Sequence, residues 1–382
     1  MIRLCGVGLV AYCSYAICRA PLLPLLARQL GATPSLVGLV MASSTVAGVL
    51  LKMPAGVWSD ILGRKPLLLT AAIVFAVMPF SYLAIGSLLV LMAARFVHGS
   101  ATAIMGPVMS ATISDVAPAA QRATWLSTYS TVQGAGQAIA PVIAGFLIAR
   151  GRYDIAFVIA GTLAMTTPFL VAQLPLSRTP HASSLSITRR FRDGIVEVLR
   201  ERRILVASIA HASYFVMNGT LNAFLPLFAQ DQIGLSPSAI GLLFGMQTVT
   251  TLAIRPIIGM ASDRLGRRGA IAAGLVACAA GVWAIAISTS KAELTTAVLV
   301  YAAGVAVTTA ATSAYITDVA PKARFGAAHG VFGTIYDIGD AGGPLIGGLL
   351  VEASSYATTF RVMAALAFVT AIAFVALSRD HG

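Results

Sequence analysis

Charge is scarce in this sequence. Lys, Arg, Asp and Glu make up 10% of its 382 residues, against roughly 25% in an ordinary soluble domain. A soluble chain of this length would have nowhere to bury the 58% of residues that are hydrophobic. Bilayer hydrocarbon supplies that environment, and an apolar span of about 20 residues crosses it as a helix. Cysteine is scarce too. Cys5, Cys13 and Cys18 share one apolar stretch, Cys278 stands alone, and none pairs with a His at ligand spacing. That argues against a disulfide framework and a metal site. The chain has no His-x-x-x-His, no Gly-x-Ser-x-Gly and no phosphate-binding P-loop. No catalytic residue or cofactor is therefore expected, and an ion gradient must supply the energy for any work done. The net charge of +12 comes from basic residues dispersed through short loops, without a stripe of interleaved aromatics. Nucleic acid is accordingly not expected as a partner.

Apolar runs separated by Gly, Pro or charge clusters predict twelve spans, at about 4–27, 35–58, 66–86, 88–114, 124–148, 154–175, 204–229, 237–261, 269–289, 293–316, 325–350 and 357–377. The first is too long for a signal h-region and lacks a small-residue cleavage site. The runs are continuous, unlike the ten-residue alternations of a barrel. The fold class is therefore all-α integral membrane, with an N-terminal six-helix bundle over 1–175 and a C-terminal one over 204–382. The connection 176–203 interleaves Arg189–Arg203 with apolar residues and is expected to lie as an amphipathic helix on the bilayer surface. Seventeen of the 26 Lys and Arg residues fall on the side of the termini. Only Arg28, Arg150, Arg152, Lys291 and Arg361 fall in the opposite loops, which places both termini in the cytoplasm.

Lys52, Gly56, Asp60, Gly63 and Arg64 recur as Arg255, Gly259, Asp263, Gly266 and Arg267, each pair 203 residues apart. The same offset relates Pro34 to Pro237, Asp115 to Asp318, Pro118 to Pro321, Gly136 to Gly339 and Pro141 to Pro344. Two homologous halves of parallel six-span topology imply a pseudo-two-fold axis along the membrane normal, a design suited to alternating access.

These residues resemble the major facilitator superfamily over essentially the whole chain. Gly259-Met-Ala-Ser-Asp263-Arg264-Leu-Gly266-Arg267-Arg268 matches the loop signature between the second and third helices of each half. The first copy, Gly56-Val-Trp-Ser-Asp60-Ile61-Leu-Gly63-Arg64-Lys65, departs at Ile61, where the family usually has Arg. Arg95-Phe-Val-His98-Gly99 resembles the fourth-helix motif that family members associate with proton coupling. Gly339-Asp-Ala-Gly-Gly343-Pro344-Leu-Ile-Gly347-Gly348 fits the pattern linked with antiporters, and Ala140 and Ala144 make the fifth-helix copy degenerate. Within the superfamily the chain most resembles the twelve-span drug:proton antiporters. That resemblance implies a monomeric exporter of a small organic or drug-like molecule in a bacterial inner membrane, with helices 1, 4, 7 and 10 lining a cavity.

A charge at the centre of a membrane helix costs about 2.5–3.5 kcal/mol on insertion scales, so Arg19, Arg95, Asp337 and Asp340 are expected to face a shared aqueous cavity. Tyr12, Tyr15 and Arg19 fall on one face of the first span. Arg95 and His98 lie on the fourth. His211, Tyr214, Asn218 and Asn222 form a stripe on the seventh. Asp337 and Asp340, at i,i+3 on the eleventh, cannot easily both be ionised, which suits one of them to load and release a proton. Proton coupling is therefore assigned to Asp337, Asp340, Arg95 and His98. Tyr15, Arg19, Gln133, Gln137, Tyr214, Asn218, Asn222 and Gln247 are the expected substrate contacts. Gating is assigned to the loop motifs with Asp115 and Asp318, where Arg64 and Arg267 are expected to reach the two carboxylates. Proton-driven uptake of an organic anion, motivated by Arg19 and Arg95, stays open as the alternative.

Overall fold

The computed structural model describes residues 1–118, 121–176, 201–319 and 325–378. The side chains of 123, 259–265 and 325–331 lie outside the described residues, and so does most of the expected amphipathic connection. The described residues form helices and their links, without strands. In chain order the helices are α1 (Ile2–Ile17), α2 (Leu22–Gln29), α3 (Pro34–Leu62), α4 (Arg64–Ser81), α5 (Leu88–Val116), α6 (Arg122–Ile148), α7 (Tyr153–Ala172), α8 (Arg202–Asp231), α9 (Pro237–Leu265), α10 (Arg267–Ile287), α11 (Lys291–Val319), α12 (Phe325–Ala353) and α13 (Tyr356–Leu377), with a 3-10 turn at Tyr82–Ala84.

Among the described residues eleven candidate spans, α1 and α2 taken together as one, are long and apolar enough to cross a membrane. α12 is as long as the others but is not among them, because Asp337, Asp340 and its glycines lower its hydropathy. The first span is not continuous as expected. It breaks between Ile17 and Leu22, where Pro21 has no N–H to donate and crowds the preceding turn. Arg19 therefore sits in a break and not on the face of a helix. Proline is otherwise tolerated inside the spans. Pro54, Pro79, Pro107, Pro141, Pro168, Pro226 and Pro344 lie within unbroken helices.

Start signals are local. Thr33, Ser87 and Ser355 each accept a hydrogen bond from the backbone N–H three residues on, meeting an otherwise orphaned donor. Ser355→Ala is expected to cost about 1 kcal/mol, as for other N-caps, read as a small fall in the melting temperature of the purified protein. Gly63 and Gly266, 203 residues apart, have φ of 91° and 84°. That left-handed backbone, open to glycine, turns the chain between α3 and α4 and between α9 and α10 within one residue. This is the physical content of the glycine in the repeated loop motif.

Two compact units result. One comprises Met1–Ser184 with Ser236–Gly245, the other Leu185–Leu235 with Met246–Gly382. In the first, α1 packs on α6 and α7, α3 on α5, and α4 on α5 and α7. In the second, α10 packs on α11 and α13, and α8 on α12 and α13. Glycines set the closest approaches. A Cβ at Gly99 would overlap the backbone of Ser44, so α3 and α5 touch main chain to main chain. Cβ atoms at Gly339, Gly343 and Gly347 would run into Ala212, Val216 and Thr220. These triplets step by four along α12 and α8, the small-residue seam by which membrane helices pack closely.

Candidate functional site

Arg95 is 0% exposed and holds the polar centre of the first unit. It donates through Nη2 to Ser44 Oγ at 2.8 Å and to Tyr15 Oη at 3.1 Å, and through Nη1 to Tyr82 Oη at 3.4 Å. Its guanidinium lies 5.1 Å from the centre of the Tyr15 ring, an attractive cation–π placement. His98, one turn on, bonds Tyr82 Oη through Nδ1 at 3.0 Å and is walled by the rings of Tyr15, Phe75 and Tyr82. Arg95 was expected on an aqueous cavity, and the structure corrects that. Hydroxyls brought in from α1, α3 and the 3-10 turn enclose Arg95, and the close α3–α5 contact at Gly99 sets Ser44 in reach. Arg19 stays within electrostatic reach of Tyr15.

The second unit carries a different polar set. Tyr301, fully buried on α11, donates to Asn218 Oδ1 of α8 at 3.1 Å. Asn222 donates to the Asn218 carbonyl. Asp340 lies within electrostatic reach of Tyr301, and Asp337 is 7% exposed. A Cβ at Gly219 would meet the Asp340 carbonyl oxygen at 2.7 Å and Pro344 Cδ at 2.8 Å, so the α8–α12 seam fixes where the aspartates stand. Around them His211 packs among Tyr214, Phe215, Phe332 and Tyr336, and Phe215 stacks on Tyr336 at 4.6 Å.

The loop motifs form one hub per unit. Arg64 Nε pairs with Asp115 at 3.1 Å and Nη1 with Asp60 at 2.6 Å, and Nη1 also bonds Ser59. Arg267 Nε pairs with Asp318 at the same 3.1 Å. Asp263 and Arg264 lie outside the described side chains.

Residues 4–236 and 207–381 each match the family model described as Major Facilitator Superfamily. The chain belongs to the major facilitator superfamily. It is thus a multi-pass membrane transporter of a small molecule and not an enzyme. An uncharacterized MFS-type transporter of Methanocaldococcus jannaschii is 23% identical over 356 residues, covering 92% of each chain. The class E tetracycline resistance protein of Escherichia coli is 26% identical over 347 residues, 87% of this chain and 84% of that one. The crystal structure of the nucleoside transporter NupG superposes with a TM-score of 0.82 at 16% identity, covering 99% of both chains.

The structure of this superfamily member brings together some expected site residues and not others. Tyr15, Arg95 and His98 meet in the first unit, and Asn218, Asn222 and Asp340 gather near Tyr301 in the second. Tyr214 belongs to the aromatic cluster. Gln133, Gln137 and Gln247 are half-buried and join neither cluster through a side-chain hydrogen bond. Arg255 donates to Thr309 at 3.4 Å. Ser44, Tyr82 and Tyr301 were missed. The 203-residue offset held a signal for two of them, since Ser44 is the counterpart of Gln247 and Tyr301 the counterpart of His98.

Proposed function

We propose that this chain is a proton-coupled antiporter that exports a small organic molecule by alternating access, in a bacterial inner membrane with both termini cytoplasmic. The observation that carries the reading is the carboxylate pair of α12. Asp337 is buried and Asp340 stands one turn away, held by the glycine seam against α8. A carboxylate kept from water at membrane depth is costly when charged, so protonation that alternates with substrate binding is a use that repays its retention. The likeness to the tetracycline resistance protein of Escherichia coli supports the outward direction. In this reading Asp337 and Asp340 carry the proton, and Arg95 and His98 take part in coupling it to transport. Tyr15, Arg19, Tyr214, Asn218, Asn222, Gln133, Gln137 and Gln247 contact the substrate. The Arg64 and Arg267 hubs hold the cytoplasmic ends of the helices within each unit. The protein acts as a monomer.

The test is transport by purified protein in liposomes with a pH dye in the lumen, alongside protein-free vesicles. Addition of a transported organic molecule outside is expected to alkalinise the lumen, and Asp337→Asn or Asp340→Asn is expected to abolish that response. Acidification on adding organic anions sinks antiport and establishes proton-driven uptake, a second reading favoured by the buried Arg95. Flux that is unchanged in both Asp variants removes the pair from the proton path.

A further inference from the structure

The first unit has only three carboxylates between residues 1 and 175, namely Asp60, Asp115 and Asp154. Asp60 and Asp115 pair with Arg64, and Asp154 pairs with Arg152. All three lie near helix ends, and among the described residues the charge of Arg95 meets hydroxyl oxygens and the face of a ring. The directions of the hydrogen bonds then decide what this cluster can still bind. A guanidinium only donates, so Ser44, Tyr15 and Tyr82 all accept from Arg95. The proton of Ser44 goes to the Met41 carbonyl at 3.4 Å. Tyr82 Oη and His98 Nδ1 share a hydrogen bond at 3.0 Å in which either can be the donor. His98 Nε2 and Arg95 Nε are both buried without a hydrogen-bond partner. The cluster thus holds one positive charge, one unanswered N–H donor at Arg95 Nε and an imidazole nitrogen without a partner. An orphaned buried donor costs about 1–3 kcal/mol, and almost all such groups in folded proteins find a partner.

We propose that the Arg95–His98 cluster receives an anionic oxygen group of the transported molecule (a carboxylate, sulfonate or phosphonate), so that the substrate is an organic anion or a zwitterion. Tyr15, which accepts from Arg95, and Arg19, within electrostatic reach of Tyr15, are both only half-buried. A carboxylate or phosphonate carries several acceptor lone pairs and a compensating charge, which is what the cluster lacks. The substrate assignment rests on the transport reading above but not on its direction, because antiport and uptake need the same recognition.

The experiment is thermal melting of the detergent-purified full chain at fixed ionic strength. The probes are benzoate, phenylphosphonate and benzyltrimethylammonium, each at millimolar concentration. The two anions are expected to raise the melting temperature saturably and the ammonium not to. Arg95→Gln is expected to abolish the rise, Arg95→Lys to weaken it, and Tyr15→Phe to weaken it several-fold without changing any charge. Should Arg95→Gln not remain monodisperse, Tyr15→Phe and Arg19→Gln carry the comparison. An equal rise with the ammonium, a rise that persists in Arg95→Gln or in both fallback variants, or no rise with either anion overturns the site. The liposome assay separates the two ideas. Proton flux driven only by cations, with anions leaving the melt unmoved, removes the anion site and keeps proton coupling. An Arg95-dependent anion shift without proton flux does the reverse.

Discussion

Gly343→Val is expected to lower the melting temperature of this transporter sharply and to abolish transport. A Cβ at Gly343 would overlap the Val216 carbonyl and stand 3.0 Å from the Thr220 nitrogen, so α8 and α12 must part. Parting them also strains the bond from Thr220 Oγ1 to the Gly343 carbonyl at 2.8 Å. Two effects compete when a helical glycine gains a side chain. Alanine improves helix propensity by up to about 1 kcal/mol, whereas overpacking a tight contact costs about 1–3 kcal/mol. At Gly343 packing wins, so even Gly343→Ala destabilises. The neighbouring Gly342 decides the matter, because its Cβ would meet nothing nearer than Ile346 Cδ1 at 4.0 Å. There propensity wins, and Gly342→Ala is expected to melt at or above the wild-type temperature. Melting curves of the two alanine variants side by side, with proton flux in liposomes, read the difference. If Gly343→Ala melts with wild type, the seam is not tight and does not position the aspartates. The first unit holds a natural control. At Gly136 an added Cβ would stand 2.9 Å from the Leu9 carbonyl, while the counterparts of Gly343 and Gly347 are Ala140 and Ala144, both fully buried. α1 and α6 already accommodate side chains that α8 and α12 exclude.

The second large effect is expected at Arg64. Its guanidinium is only 16% exposed and joins Asp60 and Ser59 at the end of α3 to Asp115 at the end of α5, from the first residue of α4. A solitary exposed ion pair is worth about 0–1 kcal/mol. One cation ties carboxylates at the ends of α3 and α5 to the start of α4, so its removal unlinks three helices at a single side chain. Arg64→Gln is therefore expected to lower the transport rate about tenfold, which corresponds to about 1.4 kcal/mol. Asp115→Asn, whose carboxylate is the more exposed of the two, is expected to cost less. A double-mutant cycle between Arg64 and Asp115, read as transport rate, is expected to show coupling. Purely additive effects would leave the hub as a loop anchor without a part in gating.

Which parts of this protein were written along the chain follows from the length scale of each signal. The bilayer forces every backbone polar group into a helix, so continuous apolar runs identify the spans one by one. The repeat fixes register, and it carries detail down to single contacts: Arg64–Asp115 and Arg267–Asp318 have the same 3.1 Å geometry because their sequence offset is the same. The break at Pro21 was legible in principle, since proline acts on its own turn, but uniform hydropathy hid it. The surroundings of Arg95 were not legible. Its partners come from α1, α3 and a 3-10 turn, and Tyr82 in that turn follows no helical period. Hydropathy alone placed Arg95 in water. Only the tertiary structure, by closing α3 on α5 at Gly99, brought Ser44 into reach of the guanidinium together with the two tyrosines. The sequence determined which residues lie at membrane depth, because partitioning acts residue by residue. The packing decided what each one meets, because hydrogen bonds act over about 3 Å, and helix approaches at that scale are set by glycines that no hydropathy pattern weights.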